Sequence, residues 1–292
     1  MLPDEEGREL MRDLSNSTPK DAAGYIERGE AFNIEGQHEE ALEAFEQALK
    51  LDPQSAPAFA GQGHALSSLL RYEEALKAYE RSIKLDPNDA PIYVYKGVAL
   101  LNLERYKEAL ADADRALMID PDLAVAHTVR GSALVYLDRV EDGLVSLERA
   151  VTLDPDDVIT YIGKAAALTT LERHEEVVAT YDHVLLLDPE SARAYVGKGD
   201  ALMNLERHAE ALAAYEEAIT LDPKDAESYT RKGDALRELN RDEEALSAYD
   251  QAIELDPTNG MIYIAKGLSL SNLQRFDELA AVWQKALELG FM

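Results

Sequence analysis

The side chains equipped for chemistry in this sequence are six histidines, repeated carboxylate pairs, two glycine-flanked segments and a recurring cation. No two histidines have the four-residue helical spacing of a zinc protease, and the chain has no cysteine. Thiolate metal sites, disulfides and cysteine nucleophiles are therefore excluded. His38, His174 and His208 share a position held elsewhere by Tyr72, Tyr106 and Phe276, and His127 also replaces an aromatic, so these read as packing residues. Gly61-Gln62-Gly63 and Gly197-Lys198-Gly199 resemble pieces of phosphate loops. Neither continues as GxGxxG or GxxxxGK[ST]. Carboxylate pairs such as Glu73-Glu74 and Glu243-Glu244 recur where helices should start, and there they suit the positive helix end rather than acid-base work. No catalytic, cofactor or metal constellation emerges.

The cation column holds Arg28, Lys96, Arg130, Lys164, Lys198, Lys232 and Lys266, with Gln62 in the same register. It would serve either as an anion-binding ladder or as scaffold, each methylene stem lying across a helix interface and each charge meeting a nearby acid. Scaffold is the preferred reading, with Asp52 and its equivalents as the first candidates for partners and the acid excess supplying others, because a site rarely needs one residue type seven times.

The elements that carry these residues repeat. LDP or IDP begins at Leu51, Leu85, Ile119, Leu153, Leu187, Leu221 and Leu255, each 34 residues after the last. A fixed period means stacked units forming one elongated body rather than one central core. Tyr229, Gly233 and Leu236 fall on one helical stripe, and Ala245, Tyr249 and Ala252 on a second, so each unit holds two helices. The prolines at Pro53, Pro87, Pro121, Pro155, Pro189, Pro223 and Pro257 end the second helix. Two residues later Ser55, Asp89, Asp157, Ser191, Asp225 and Asn259 are placed to cap the next helix, and only Leu123 breaks the series. Gly63, Gly97, Gly131, Gly199, Gly233 and Gly267 recur in the first helix, where a glycine costs about 1 kcal/mol against alanine unless a partner helix comes close. Ala75, Ala109, Gly143, Val177, Ala211 and Ala245 are the expected facing positions.

Composition narrows the partners. The 57 Asp and Glu against 29 Lys and Arg give a net charge of -28, which opposes binding to nucleic acid or to an anionic membrane. The acidic start MLPDEEGRELMRDL is neither a secretory signal nor a spanning helix, and no later run is apolar enough to cross a bilayer. The expectation is a cytoplasmic protein.

Tyr25, Gly29, Phe32, Ala41, Phe45, Ala48 and Pro53 carry a resemblance to the tetratricopeptide repeat family, whose signature runs W-x2-L-G-x2-Y, A-x3-F, A, P. The resemblance covers eight units, residues 22–55, 56–89, 90–123, 124–157, 158–191, 192–225, 226–259 and 260–292. Residues 1–21 continue the register, Pro19 falling on Pro53, as a degenerate capping helix; a flexible tail is the other reading. The family implies an all-α fold, an α-solenoid in which antiparallel helix pairs form a right-handed superhelix with the first helices lining a concave groove. It also implies a non-enzymatic scaffold that binds a protein or peptide partner.

On that geometry the groove residues are Val94, Tyr95, Val98, Leu101 and Asn102, then Val125, Thr128, Val129, Ser132, Val135 and Tyr136. Ile159, Ile162, Gly163, Ala166, Thr169 and Thr170 continue it, with Val196, Met203 and Asn204. None is charged, which suits an apolar or amphipathic partner segment gripped by Tyr95 and Tyr136, with Asn102 and Asn204 fixing register. A charge at Val129 or Ile162 is then expected to abolish capture. Glu27 and Glu30 flank one end, Asp234, Arg237 and Glu238 the other, and His64 should face the groove. The family's clamp for acidic chaperone tails would fall on Ile26, Glu30, Gly61, Pro91 and Tyr95; none is basic, so such tails are not expected partners. Phe276, Leu279, Val282, Trp283, Ala286, Leu287, Leu289, Phe291 and Met292 give the last unit an apolar character. That leaves self-association through the carboxyl-terminal repeat as the alternative function.

Overall fold

The computed structural model of the protein describes residues 19–291. Sixteen α-helices and no strand occur among the described residues. They are α1 (Ala22–Ile34), α2 (His38–Leu51), α3 (Ala56–Ser68), α4 (Tyr72–Leu85), α5 (Ala90–Asn102), α6 (Tyr106–Ile119), α7 (Ala124–Tyr136) and α8 (Val140–Leu153). Then come α9 (Val158–Thr170), α10 (His174–Leu187), α11 (Ala192–Asn204), α12 (His208–Leu221), α13 (Ala226–Glu238), α14 (Asp242–Leu255), α15 (Gly260–Asn272) and α16 (Phe276–Glu288). The expected all-α solenoid of helix pairs is the architecture found. The expected amino-terminal cap falls mostly on residues 1–18, and Met292 ends the apolar series; both lie outside the described residues.

The helices group into two compact units, one ending at Pro155 and the other starting at Asp156. Within each, every helix packs on the next along the chain. First helices also touch first helices: α1 on α3, α3 on α5 and α5 on α7 in one unit, α11 on α13 and α13 on α15 in the other.

The second helices are held by stripes at i, i+3, i+4 and i+7, as in α2, where Ala41, Ala44, Phe45 and Ala48 are buried. Each second helix but α16 stops at the Asp of its LDP or IDP motif, whose backbone turns extended, with Asp52 at φ -132°. That Asp is not the partner of the cation column. Its carboxylate accepts the backbone N–H two residues on, from Gln54 to Asp52 at 3.0 Å and from Asn88 to Asp86 at 3.1 Å, and so folds the turn. The next helix is capped by Ser55, Asp157, Asp225 and Asn259 as expected. Ser191 holds the capping position without a side-chain bond to the helix, and Asp89 makes no close cap bond, though the Ile92 N–H still acts on its carboxylate.

The recurring first-helix glycine makes room for an aromatic ring rather than for the small column opposite. A β-carbon at Gly199 would stand 2.4 Å from Tyr215, and one at Gly233 2.5 Å from Tyr249, distances no packed core tolerates. Gly97 and Gly131 are the exceptions: Val129 Cγ1 stands beside Gly97, and the neighbours of Gly131 are Leu147 and the Gly143 carbonyl, as the facing small column anticipates.

Candidate functional site

Five of the column's cations are already spent. Lys96 meets Asp112 at 3.0 Å, Arg130 meets Asp114 at 2.8 Å, Lys198 meets Asp182 at 2.6 Å, Lys232 meets Glu216 at 2.9 Å and Lys266 meets Asp250 at 2.5 Å. Each reaches from a first helix to a second helix, so these charges brace the stack and form no anion ladder. The histidines also pack. His127 Nε2 lies 3.0 Å from the Pro121 carbonyl, repeating the Tyr93 hydroxyl bond to Pro87 and the Tyr263 bond to Pro257, both 3.2 Å. His38 Nδ1 lies 3.3 Å from Asn33 Oδ1, and one ring nitrogen each of His174 and His208 is buried. Among the described residues no three His, Asp or Glu side chains gather as they would around a metal ion, and no helix is long and apolar enough to cross a membrane.

The expected groove residues separate into two kinds. In the first unit Tyr95, Val98 and Asn102 of α5 and Val125 and Tyr136 of α7 are exposed, while Leu101, Ser132 and Val135 are half-buried. Val94, Thr128 and Val129 are buried and offer no side chain to a partner. Val94 and Val129 belong to one core cluster with Tyr93, Ala113 and Ala126, and Val129 Cγ1 fills the space a β-carbon on Gly97 would need. They were expected in the groove because the family's geometry puts first-helix residues there, and the neighbouring first helix covers that part of the face. A charge at Val129 would therefore damage the stack instead of reporting on a partner. In the second unit Ile159, Ala166, Thr169, Thr170 and Asn204 are exposed, and Ile162, Gly163, Val196 and Met203 half-buried.

The polar members of the set look inward. Asn102 Nδ2 donates to the Val98 carbonyl at 2.9 Å and Asn204 Nδ2 to the Asp200 carbonyl at 3.0 Å, so the donors expected to fix a partner's register are used by their own helices. The hydroxyls of Thr169 and Thr170 donate to Ala165 and Ala166 in the same way. Tyr136 stacks on Tyr106 with ring centroids 4.6 Å apart, and Tyr95 on His64 at 5.6 Å.

Sequence reasoning missed a cleft in the first unit, about 410 Å³ in volume, between the first-helix faces of α1, α3 and α5. Glu30, Ile34, His64, Asp89 and Tyr95 line it. Burial, then Glu27, pushes the Glu30 carboxyl up, and burial, then Asp86, does the same to Asp89 against the opposing pull of the Ile92 N–H. Burial, then His38, lowers the His64 imidazole. In the sequence Glu30 reads as a flank and Asp89 as a cap; His64 was the one usable signal. In the second unit the residues after the recurring glycine, Asp200 and Asp234, are also partly buried carboxyls pushed up by burial. They are matched from within: the Tyr215 hydroxyl donates to Asp200 at 2.7 Å and the Tyr249 hydroxyl to Asp234 at 2.9 Å, with Arg231 and Arg237 alongside.

Sequence profiles described as tetratricopeptide repeat match residues 22–55, 61–124, 178–226 and 196–260. No curated protein matches the chain. Among solved structures, the Cut9–Hcn1 hetero-tetramer of the APC/C is similar with a TM-score of 0.71 at 16% identity, over 80% of this chain and 46% of that one. The chain thus spans under half of that protein's length. A tetratricopeptide repeat protein from Parabacteroides merdae ATCC 43184 is similar at 0.61 and 18% identity, over 85% of this chain and 98% of that one. YrrB, described as a TPR protein with an unusual peptide-binding site, is similar at 0.50 and 27% identity, over 62% of this chain and 94% of that one. Sequence profile, helix pairing and the ring-filled glycine positions agree, and the chain belongs to the tetratricopeptide repeat family.

Proposed function

We propose that the protein is a non-enzymatic scaffold that holds an apolar or amphipathic segment of a partner protein against its first-helix faces. The observation that carries this reading is a set of uncharged, exposed apolar side chains there, Tyr95, Val98, Val125 and Tyr136 in the first unit and Ile159 in the second, with Tyr136 64% and Ile159 71% exposed. The description of YrrB as a peptide-binding member of the family supports it. Burying each such side chain contributes about 1.5–3 kcal/mol, so three or four give micromolar affinity after the costs of association.

Charge placed on exposed positions tests the reading without touching the core. Val98→Glu with Val125→Glu, and separately Ile159→Glu, are expected to remove the partners that wild type captures from its native cells, while circular dichroism and melting stay as they were. An unchanged partner set for both variants would move the binding surface off the first-helix faces.

A second reading, self-association through the last repeat, is favoured by the exposure of Phe276 and Leu287 on α16.

A further inference from the structure

The cleft among α1, α3 and α5 is acidic with no lysine or arginine in its lining, the Ile92 N–H being the one internal donor that acts on Asp89. Glu30 and Asp89 both line it, and the charges that act on them are the neighbouring carboxylates Glu27 and Asp86. Where this protein settles partly buried carboxylates by itself, it supplies hydroxyl donors and guanidinium groups, as Tyr215 and Arg231 do for Asp200. No such cation lines the cleft. Partly desolvated carboxylates beside like charges stabilise any cation that enters, more strongly than the same groups in bulk water would.

The remaining wall is aromatic. His64 and Tyr95 stack with ring planes 9° apart, and burial disfavours the charged form of His64, so its ring repels a positive ligand less than a solvated histidine would. Ile34 is exposed at the rim. A flat cation that stacks on rings and donates several hydrogen bonds to carboxylates fits these features better than a compact ammonium does. Phosphates and acidic tails are repelled, and among the described residues no three-ligand set would hold a metal ion.

We infer that the cleft takes an arginine side chain from an extended segment of a partner protein, the guanidinium lodged between the carboxylates of Glu30 and Asp89 and the His64–Tyr95 stack, with an apolar neighbour of that arginine on Ile34. This rests on the scaffold reading and names the chemistry of its partner.

The test selects peptides from a random phage-displayed library on the full-length chain and titrates the synthetic peptides recovered. Arginine at a fixed position beside an apolar residue is expected. Replacing that arginine by citrulline, the neutral isostere, should weaken binding about tenfold, as should the double variant Glu30→Gln, Asp89→Asn with unchanged melting. Affinity should also fall as salt is raised. Peptides without a basic residue, or binding indifferent to citrulline and to the double variant, overturn the inference. If such peptides are nonetheless lost on Val98→Glu, Val125→Glu, the scaffold reading survives alone; recovery of no peptide at all overturns both.

Discussion

Tyr215 and Tyr249 show how one residue serves packing and electrostatics together. Each ring fills the space beside a glycine of the facing helix, and each hydroxyl ends on an aspartate of the first-helix face. The Tyr249 ring is fully buried, so the donor cannot be replaced by water without disturbing the stack. Tyr249→Phe keeps the ring and takes the hydroxyl donor from the Asp234 carboxylate, leaving it the Arg237 guanidinium at 3.7 Å, which should cost about 1.5 kcal/mol at pH 7, measured by urea unfolding. The pH dependence follows from the direction of the shift. Burial, opposed by Tyr249 and Arg237, holds the folded Asp234 pKa above its ordinary value of 3.8. The folded state therefore binds this proton first as pH falls, and the group's contribution to stability rises as pH drops from neutral through the folded pKa toward 3.8. A protonated carboxyl needs the donor less, so the deficit of Tyr249→Phe should shrink across the same window. A deficit that is equal at pH 7 and pH 4 would show that Asp234 is not the group through which the hydroxyl acts. The tyrosine position was legible in the sequence as an aromatic slot. The carboxylate waiting at its end was not, because the two lie 15 residues apart on different helices.

At the scale of the element, each hairpin turns on one residue in the left-handed region. In the first pair it is Gly36 at φ +76°; in the other seven it is Leu70, Glu104, Asp138, Glu172, Glu206, Asn240 or Gln274, with φ between 56° and 61°. The turn closes with two backbone bonds, Arg71 N–H to Leu66 O at 2.8 Å and Leu70 N–H to Ser67 O at 3.0 Å, which satisfy the last carbonyls of α3. The arginine that follows pairs three residues on with an acid, as Arg71 does with Glu74 at 2.8 Å. Both side chains of that pair are largely exposed, so it adds little. The strain at a non-glycine residue in this region exceeds glycine's extra entropy cost, and Leu70 is 72% exposed and loses little contact. Leu70→Gly should raise stability by about 0.5–1 kcal/mol in thermal or urea unfolding. No gain would mean that the turn is held by contacts beyond its backbone. Sequence placed the hairpins through their prolines and stripes but not this geometry, since Leu, Glu, Asp, Asn and Gln share no chemistry that announces it.

For the whole molecule the opposing forces are a net charge of -28 and the apolar surface of the last helix. Trp283 sits against Gly267 and Phe291 against Gly260, so both belong largely to their own repeat. Phe276, 62% exposed, and Leu287, 54% exposed, are the better anchors for a second copy. Self-repulsion works against that contact, so association should strengthen as salt screens the charge. Light scattering should find a mass that grows with concentration in about 0.5 M salt, roughly three times the ionic strength at which the Debye length is about 8 Å. Phe276→Glu with Leu287→Glu should abolish the growth. A wild-type monomer at every concentration and salt would remove the self-association reading and leave the scaffold reading untouched.

The sequence by itself determined the period, the helix pairs and the family, because the signals for them are local: a proline that ends a helix, a capping oxygen, a glycine or alanine where two helices meet. It favoured a structural role for the recurring cations, and the structure pairs five of them, though not with the turn aspartates first in line, since a turn aspartate is drawn to the nearest backbone N–H before a distant lysine. Only the tertiary structure decided which shoulder of a first helix the next one covers. Val94 and Val129 became core while Val98 and Val125, a helical turn away, stayed at the surface. It alone also separated the carboxylates matched from within, Asp200 and Asp234, from Glu30 and Asp89, on which the neighbouring carboxylates Glu27 and Asp86 act. Charge pairing depends on which side chains meet across helices, and a 34-residue repeat leaves that to the residues that differ between its copies.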